Sequence, residues 1–161
     1  MILPETLNIA HLFARAEISY WVFGGNGIEL CVGHSIRPHE DVDFFVSSQQ
    51  AENAVLVLEG KGWVYSSGSL EMGDVFLERG GLILDLVPID DTQNPPRTHG
   101  ELERIVWPDE FLTPYHGQWG VITLRPEMHL KMKSLIREFY GLEQMRNKDL
   151  LDLDALNTFL T

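Results

Sequence analysis

Residues 21–46, WVFGGNGIELCVGHSIRPHEDVDFFV, decide the fold of this chain. The stretch opens with a short apolar run that breaks at Gly24 and Gly25, and it closes with Asp41-Val42-Asp43 at the start of a second strand. Because side chains alternate faces along a strand, the two aspartates share a face, roughly 7 Å apart at their Cα atoms. Two such carboxylates can bind a hard cation such as Mg²⁺, and a glycine turn lets phosphate oxygens approach its N–H groups. The stretch therefore predicts a phosphoryl-transfer site.

A third aspartate lies in the most apolar strand of the sequence. Residues 82–87 form a nearly continuous apolar run with Asp85 in its middle. Such runs are typical of strands covered on both faces, where a lone carboxylate is costly unless it is paired or liganded. Taken alone, Asp41 could be a turn residue, and three unrelated, satisfied aspartates are the alternative interpretation. A cluster of Asp41, Asp43 and Asp85 around a metal explains all three together.

Length and composition indicate one ordinary globular domain. The 161 residues are 44% hydrophobic and 22% charged, close to the averages for folded proteins. The formal net charge of −12 argues against a general nucleic-acid binder, which needs stripes of Lys and Arg. A single cysteine, Cys31, fits a reducing compartment. No apolar run is long enough for a membrane span, and the N-terminal residues do not resemble a signal peptide, so we expect a cytoplasmic protein without a membrane partner.

The hydrophobic periodicity predicts an α/β (α+β) fold, a small mixed sheet flanked by helices. Ser47 and Gln50 resemble a capping box before one of these helices. The expected helices cover residues 4–17, 26–32, 51–58, 125–140 and 148–160. The expected strands cover residues 19–23, 41–46, 63–66, 74–79, 82–87 and 119–123. We divide the chain into a core at residues 1–100 and a mainly helical C-terminal portion at residues 101–161.

Several common site motifs are incomplete in this sequence. The glycines near residue 25 lack the third glycine of a dinucleotide fingerprint, and Gly60-Lys61-Gly62 lacks the Ser or Thr of a P-loop. The Asp41 run does not continue as a calcium loop, and the six histidines have no zinc-site spacing.

Three segments together resemble the nucleotidyltransferase superfamily of the DNA polymerase β type. They are the Gly24-Gly25 turn, the run RPHEDVD at residues 37–43 and the strand LDLVPI at residues 84–89. Within the superfamily they are similar to the small antibiotic nucleotidyltransferases, the aminoglycoside 2″-O-adenylyltransferase and lincosamide nucleotidyltransferase types. The resemblance recurs in RNKD at residues 146–149 with Asp152. The double serine that the superfamily usually has at the turn is replaced here by two glycines.

The resemblance implies roles for individual residues. Gly24 and Gly25 would lie at the nucleotide triphosphate, and Asp41 and Asp43 would ligate Mg²⁺ that bridges its phosphates. Asp85 corresponds to the third carboxylate, which acts as general base, as metal ligand, or as both. The candidates for phosphate contacts are Arg37 and one of Lys131 or Lys133, with a solvated arginine and exposed helix lysines as the alternative.

The implied activity is transfer of a nucleoside monophosphate, expected to be AMP from ATP, to a hydroxyl of a small molecule such as an aminoglycoside or lincosamide, with release of pyrophosphate. The C-terminal portion would contribute to the acceptor cleft. The aromatic candidates there, which could equally belong to the core, are Trp107, Tyr115, His116 and Trp119. Two alternatives stay open at this point. One is a toxin-type nucleotidyltransferase acting on tRNA or protein, which the acidic charge disfavours for tRNA, and the other is a non-catalytic nucleotide-binding module.

Overall fold

The computed structural model describes residues 2–141 and 145–161. Its α-helices are Pro4–Arg15 (α1), Gly24–Val32 (α2), Ala51–Glu59 (α3), Pro126–Tyr140 (α4) and Asn147–Leu160 (α5). Its strands are Tyr20–Phe23 (β1), Asp41–Ser47 (β2), Val64–Ser69 (β3), Asp74–Arg79 (β4), Leu82–Asp90 (β5), Arg97–Thr98 (β6), Tyr115–His116 (β7) and Ile122–Thr123 (β8). The predicted α/β class, a mixed sheet flanked by helices, is confirmed.

One mixed sheet joins all the strands of the described residues. Its order is β3-β4-β5-β2-β1-β8-β7, and β6 pairs with the end of β5. β2 lies at the centre, antiparallel to β1 and parallel to β5. β1 also pairs in parallel with β8, so the C-terminal portion of the chain adds strands to the sheet of the N-terminal portion.

The two faces of the sheet carry two separate cores, as the alternation of side chains requires. On one face, Val42, Phe44 and Val46 of β2 pack with the buried sides of α1 and α3. Phe44 is fully buried and meets Phe13 edge to face, with ring centroids 5.5 Å apart. The other face carries Asp41, Asp43 and Phe45, with an aromatic cluster around Phe45 that also contains Trp107 and Phe111. The aspartates therefore belong to the second face.

Three local predictions differ from the structure. The helix expected at residue 26 begins at Gly24, so both glycines belong to its first turn. The capping box at Ser47 is wrong, since the Ser47 hydroxyl donates to Asp91 and the Gln50 amide bridges Ser19 and Glu17 instead. The strand expected at residues 119–123 is shortened to Ile122–Thr123, because residues 118–120 form a 3₁₀ turn in which Trp119 has a φ of 57°.

In the described parts of the chain, no helix is both long enough and apolar enough to span a membrane.

His129 anchors α4 to the sheet. Its ring is buried, and its Nε2 lies 2.9 Å from the Thr123 hydroxyl, which in turn lies 2.8 Å from the carbonyl oxygen of Val22. Burial, together with the positive charge of Lys133, lowers the pKa of His129 to about 3. The imidazole is therefore neutral at physiological pH.

This burial predicts a specific loss of stability in acid. Below pH 6.5 an unfolded His129 takes up a proton, whereas the folded protein resists protonation until about pH 3. Because the pKa of His129 is lower in the folded state than in the unfolded state, this residue contributes stability at pH values above its unfolded-state pKa. That contribution is lost as the pH falls. Between pH 7 and pH 4, the free energy of unfolding should drop by roughly 3 kcal/mol more for wild type than for His129→Gln.

Urea unfolding at several pH values measures this difference, and exposed His11 supplies the matched control. His11→Gln should follow the pH dependence of wild type. An equal slope for wild type and His129→Gln would contradict the assignment.

Candidate active site

The three predicted aspartates converge at one end of the parallel pair β2 and β5. Asp43 lies directly beside Asp85 in the strand register, and Asp41 precedes Asp43 on the same face. All three line a pocket with a cavity volume of about 260 Å³. Strand pairing thus brings together residues that are more than 40 positions apart in the sequence.

The two glycines of the turn are required by close packing. Gly24 has a φ of 67°, and a Cβ atom there would collide with the carboxylate of Asp43. A Cβ atom on Gly25 would lie 2.5 Å from the ring of His39 and 2.6 Å from a guanidinium nitrogen of Arg37. The backbone at the start of α2 therefore lies against the acidic strand and against the loop that precedes it.

A buried carboxylate fixes that loop through hydrogen bonds. Glu29 of α2 is buried, and its carboxylate accepts hydrogen bonds from the backbone N–H groups of Ile36 and Arg37. The ring Nε2 of His39 lies within hydrogen-bonding distance of the same carboxylate oxygen. Residues 36–39 are thus held by α2, which sets where the side chain of Arg37 starts and where Asp41 enters β2.

The carboxylates are strongly perturbed by one another. Burial, reinforced by the charge of Asp41, raises the pKa of Asp43 to about 7. Burial raises the pKa of Asp85 to about 9, with further contributions from Asp43 and Asp74. Within the described residues, Asp85 Oδ1 is buried without a hydrogen-bond partner. The pocket therefore holds buried acidic oxygens that a bound cation would stabilise.

Asp74 is a pocket residue that the sequence reasoning missed. It lies on β4, and its negative charge contributes to the raised pKa of Asp85. Its position at the first residue of a strand, after Gly73, looks like an ordinary turn. The signal that could have found it is the alternation that places Asp74 and Phe76 on the face of Asp85, the strand partner of Phe76.

Basic side chains line the same pocket. Arg37 reaches it from the loop before β2, Lys133 from α4, and Arg146 and Lys148 from the start of α5. Of the two lysines considered on α4, Lys133 lines the pocket, and Lys131 is exposed. Arg146 and Lys148 were noticed as part of a sequence signature and not as site residues, although α5 brings both into the pocket.

The remaining part of the pocket wall is apolar. Its side chains are Phe23, Phe45, Val87, Leu102, Ile105, Trp107, Met132 and Ile136. Of the four aromatic candidates for an acceptor cleft, Trp107 lines this wall, and its indole N–H donates to Thr98. Tyr115, His116 and Trp119 lie elsewhere, on β7 and in the 3₁₀ turn after it. The pocket lining thus combines carboxylates, basic side chains and apolar side chains.

Comparison with known proteins identifies relatives by sequence. A family model described as Aminoglycoside-2''-adenylyltransferase matches residues 5–104, more than half of the chain. A lincosamide resistance protein of Staphylococcus haemolyticus is 30% identical over 59 residues, which is 37% of this chain and 37% of that protein.

Two solved structures share the fold over nearly the whole chain. The lincosamide antibiotic adenylyltransferase LnuA, in a lincomycin-bound crystal structure, has a TM-score of 0.74 at 19% identity, with 98% of each chain covered. ANT(2'')-Ia in complex with adenylyl-2''-tobramycin has a TM-score of 0.75 at 14% identity, covering 99% of this chain and 91% of that one. At these identities the likeness establishes the fold. The match of the family model over residues 5–104 shows that the chain belongs to the aminoglycoside-2''-adenylyltransferase family of nucleotidyltransferases.

Proposed function

We propose that this protein transfers a nucleoside monophosphate, AMP from ATP, to a hydroxyl group of a small molecule such as an aminoglycoside or lincosamide antibiotic. The observation that carries the proposal is the pairing of Asp43 with Asp85 in one pocket, across from Arg37 and Lys133. A metal-binding acidic group facing a basic wall is the arrangement that a nucleotide triphosphate with its cation requires. Family membership supports the same reaction.

The carboxylates fit a divalent cation. Asp43 and Asp85 are half-buried acids with raised pKa values, and Asp85 has a buried, unpartnered oxygen among the described residues. In the described ranges, no three His, Cys, Asp or Glu side chains are placed so that they could hold a metal ion by themselves, so the cation would need ligands from the substrate as well. Mg²⁺ commonly binds through one or two carboxylates plus substrate phosphates. Asp41 and Asp43 would hold it, with Asp85 as a possible third ligand, and it would neutralise charge on the phosphate oxygens.

The residues of the chain then have distinct roles in the reaction. Gly24 and Gly25 keep the turn free of side chains where the triphosphate lies, and Arg37 and Lys133 contact its oxygens. Asp85 accepts the proton of the acceptor hydroxyl, whose oxygen attacks the α-phosphorus in line. A new P–O bond joins acceptor and nucleoside monophosphate as the bond to pyrophosphate breaks. Burial and the neighbouring acids raise the pKa of Asp85 to about 9, which favours its protonated form, and a cation beside it would favour the carboxylate.

The acceptor would bind on the far side of Asp85 from the basic wall. There the pocket is lined by Asp74 and by apolar side chains of the C-terminal portion, including Ile105 and Trp107. A hydroxylated molecule with a cationic amine and an apolar part matches this lining.

The free thiol of Cys31 is consistent with the cytoplasm as the proposed location.

Calorimetric titration of ATP, GTP, CTP and UTP, each with and without Mg²⁺, tests the donor site. We expect Mg²⁺-dependent binding that is strongest for ATP. Because Asp43 is buried at the centre of the site, Asp43→Asn should lower transfer activity by about a thousandfold or more.

Glu40→Gln is the matched control, since it removes a neighbouring exposed carboxylate that lies outside the pocket. This variant should bind and react like wild type. Full activity of a folded Asp43→Asn variant would contradict the proposal.

A pyrophosphate-release screen over aminoglycosides, lincosamides and other hydroxylated metabolites tests the acceptor. We expect release that depends on an acceptor, together with a product that mass spectrometry identifies as acceptor plus one nucleoside monophosphate. Asp85→Asn removes the proposed base and should lower kcat by about 10²- to 10⁴-fold. Modification of tRNA or protein in place of a small molecule would instead support a toxin-type activity.

A further inference from the structure

Helix α5 is docked by charged side chains. Its buried residues are Asp149, Asp152 and Leu156, a stripe at helical spacing in which two of the three positions are acidic. The same helix leaves Leu150 and Leu151 about half exposed, at 53% and 50%. Apolar side chains would dock a helix at least as stably as buried carboxylates, whose desolvation is costly. The acidic stripe therefore calls for an explanation other than stability.

Asp152 is the centre of this stripe and is fully buried. Its carboxylate accepts two hydrogen bonds from Arg37, from Nε and from one terminal nitrogen, each at 2.9 Å. It accepts a third from Lys133 Nζ, also at 2.9 Å. The paired contacts fix the plane of the guanidinium as well as its distance. One carboxylate thus holds two pocket cations that come from different parts of the chain.

The network leaves a donor of Lys133 for a ligand. Asp152 pairs with both Arg37 and Lys133, and Asp149 pairs with Lys133 and Arg146. Lys133 Nζ gives hydrogen bonds to both aspartates, at 2.7 and 2.9 Å, and an ammonium has a third N–H to donate. Lys133 and Arg37 both line the pocket. Their cationic groups are therefore held in place at the wall of the same pocket.

We infer that Asp152 is a positioning residue for donor binding: it holds Arg37 and Lys133 where they contact the triphosphate. This inference rests on the proposed nucleotidyltransferase function. It assigns α5 to the nucleotide site, because the helix supplies the carboxylate on which both cations depend. It also explains why an acidic group lies behind a site for an anion, where a negative charge alone would weaken binding. The positions that Asp152 gives to Arg37 and Lys133 favour ATP binding more than its negative charge disfavours the phosphates.

The test is the affinity for ATP, measured by calorimetry in the presence of Mg²⁺, for Asp152→Asn. Asparagine keeps the size of the side chain and removes its charge, so Arg37 and Lys133 lose their fixed positions. We expect the Kd for ATP to rise about tenfold or more, since small misplacements of binding groups are costly. The KM for the acceptor should change less than threefold, because the acceptor lies beyond Asp85. Asp154→Asn, an exposed carboxylate on the same helix, is the matched control and should bind ATP like wild type.

Two results would overturn the inference. One is a folded Asp152→Asn variant with a lowered Tm and an unchanged Kd for ATP, as a purely structural ion pair would give. The other is tighter ATP binding by that variant, as simple removal of a repulsive charge would give. If Asp152→Asn does not fold, Asp152→Glu decides, since it keeps the charge and moves the carboxylate by one methylene. We expect that variant to bind ATP at least about threefold more weakly, and equal binding would overturn the inference.

Wild type itself separates this inference from the proposed function. If wild type binds no nucleoside triphosphate, the proposed function fails. If wild type binds ATP and both Asp152 variants bind it equally well, the positioning role fails alone.

Discussion

The structure depends on the in-register pairing of the parallel strands β2 and β5, which places Asp43 beside Asp85 on one face of the sheet. Burial raises the pKa of both carboxyls, and the charge of Asp41 adds to this effect at Asp43 as the charge of Asp43 does at Asp85. The rest of the site responds to that constraint. A glycine with positive φ leaves room for Asp43, and basic side chains from three segments face the acids. The sheet supplies enough packed apolar surface on its other face to sustain the arrangement.

The charges in the pocket are separated along its length. Near Asp43, the positive charges of Lys133, Lys148 and Arg37 partly offset the effect of burial on its pKa. Around Asp85, the neighbours that act most strongly on its pKa are other acids, chiefly Asp43 and Asp74. Under the proposed function, this asymmetry would order the two substrates, with the anionic donor near Asp43 and a neutral or cationic acceptor near Asp85. Preorganised charge of this kind is a principal means by which enzymes stabilise phosphoryl-transfer transition states.

The C-terminal part of the chain belongs to the site as much as the N-terminal part does. β8 extends the sheet next to β1, α4 supplies Lys133, and α5 holds that lysine and Arg37 through Asp152. The division at residue 100 remains a prediction, and the proposed site draws on both sides of it. The neutral, buried His129 contributes to this arrangement, because its contact with Thr123 holds the start of α4 against β8.

The sequence by itself determined the fold class, most elements and the acidic centre, because these follow from local patterns. Alternation along residues 41–46 placed Asp41 and Asp43 on one face. An aspartate inside the apolar run at residues 82–87 indicated a site, because desolvating a lone carboxylate is energetically unfavourable. Tertiary structure decided what depends on non-local geometry: the neighbourhood of Asp74 and Asp85, the choice of Lys133 over Lys131 as a pocket residue, and the use of Asp152. Ser47 and Gln50 have the spacing of a helix capping box, but their side chains form hydrogen bonds with residues that are distant in the sequence. Local spacing could not predict these partners. A charged side chain finds its partner across the fold, and no local period records where that partner lies.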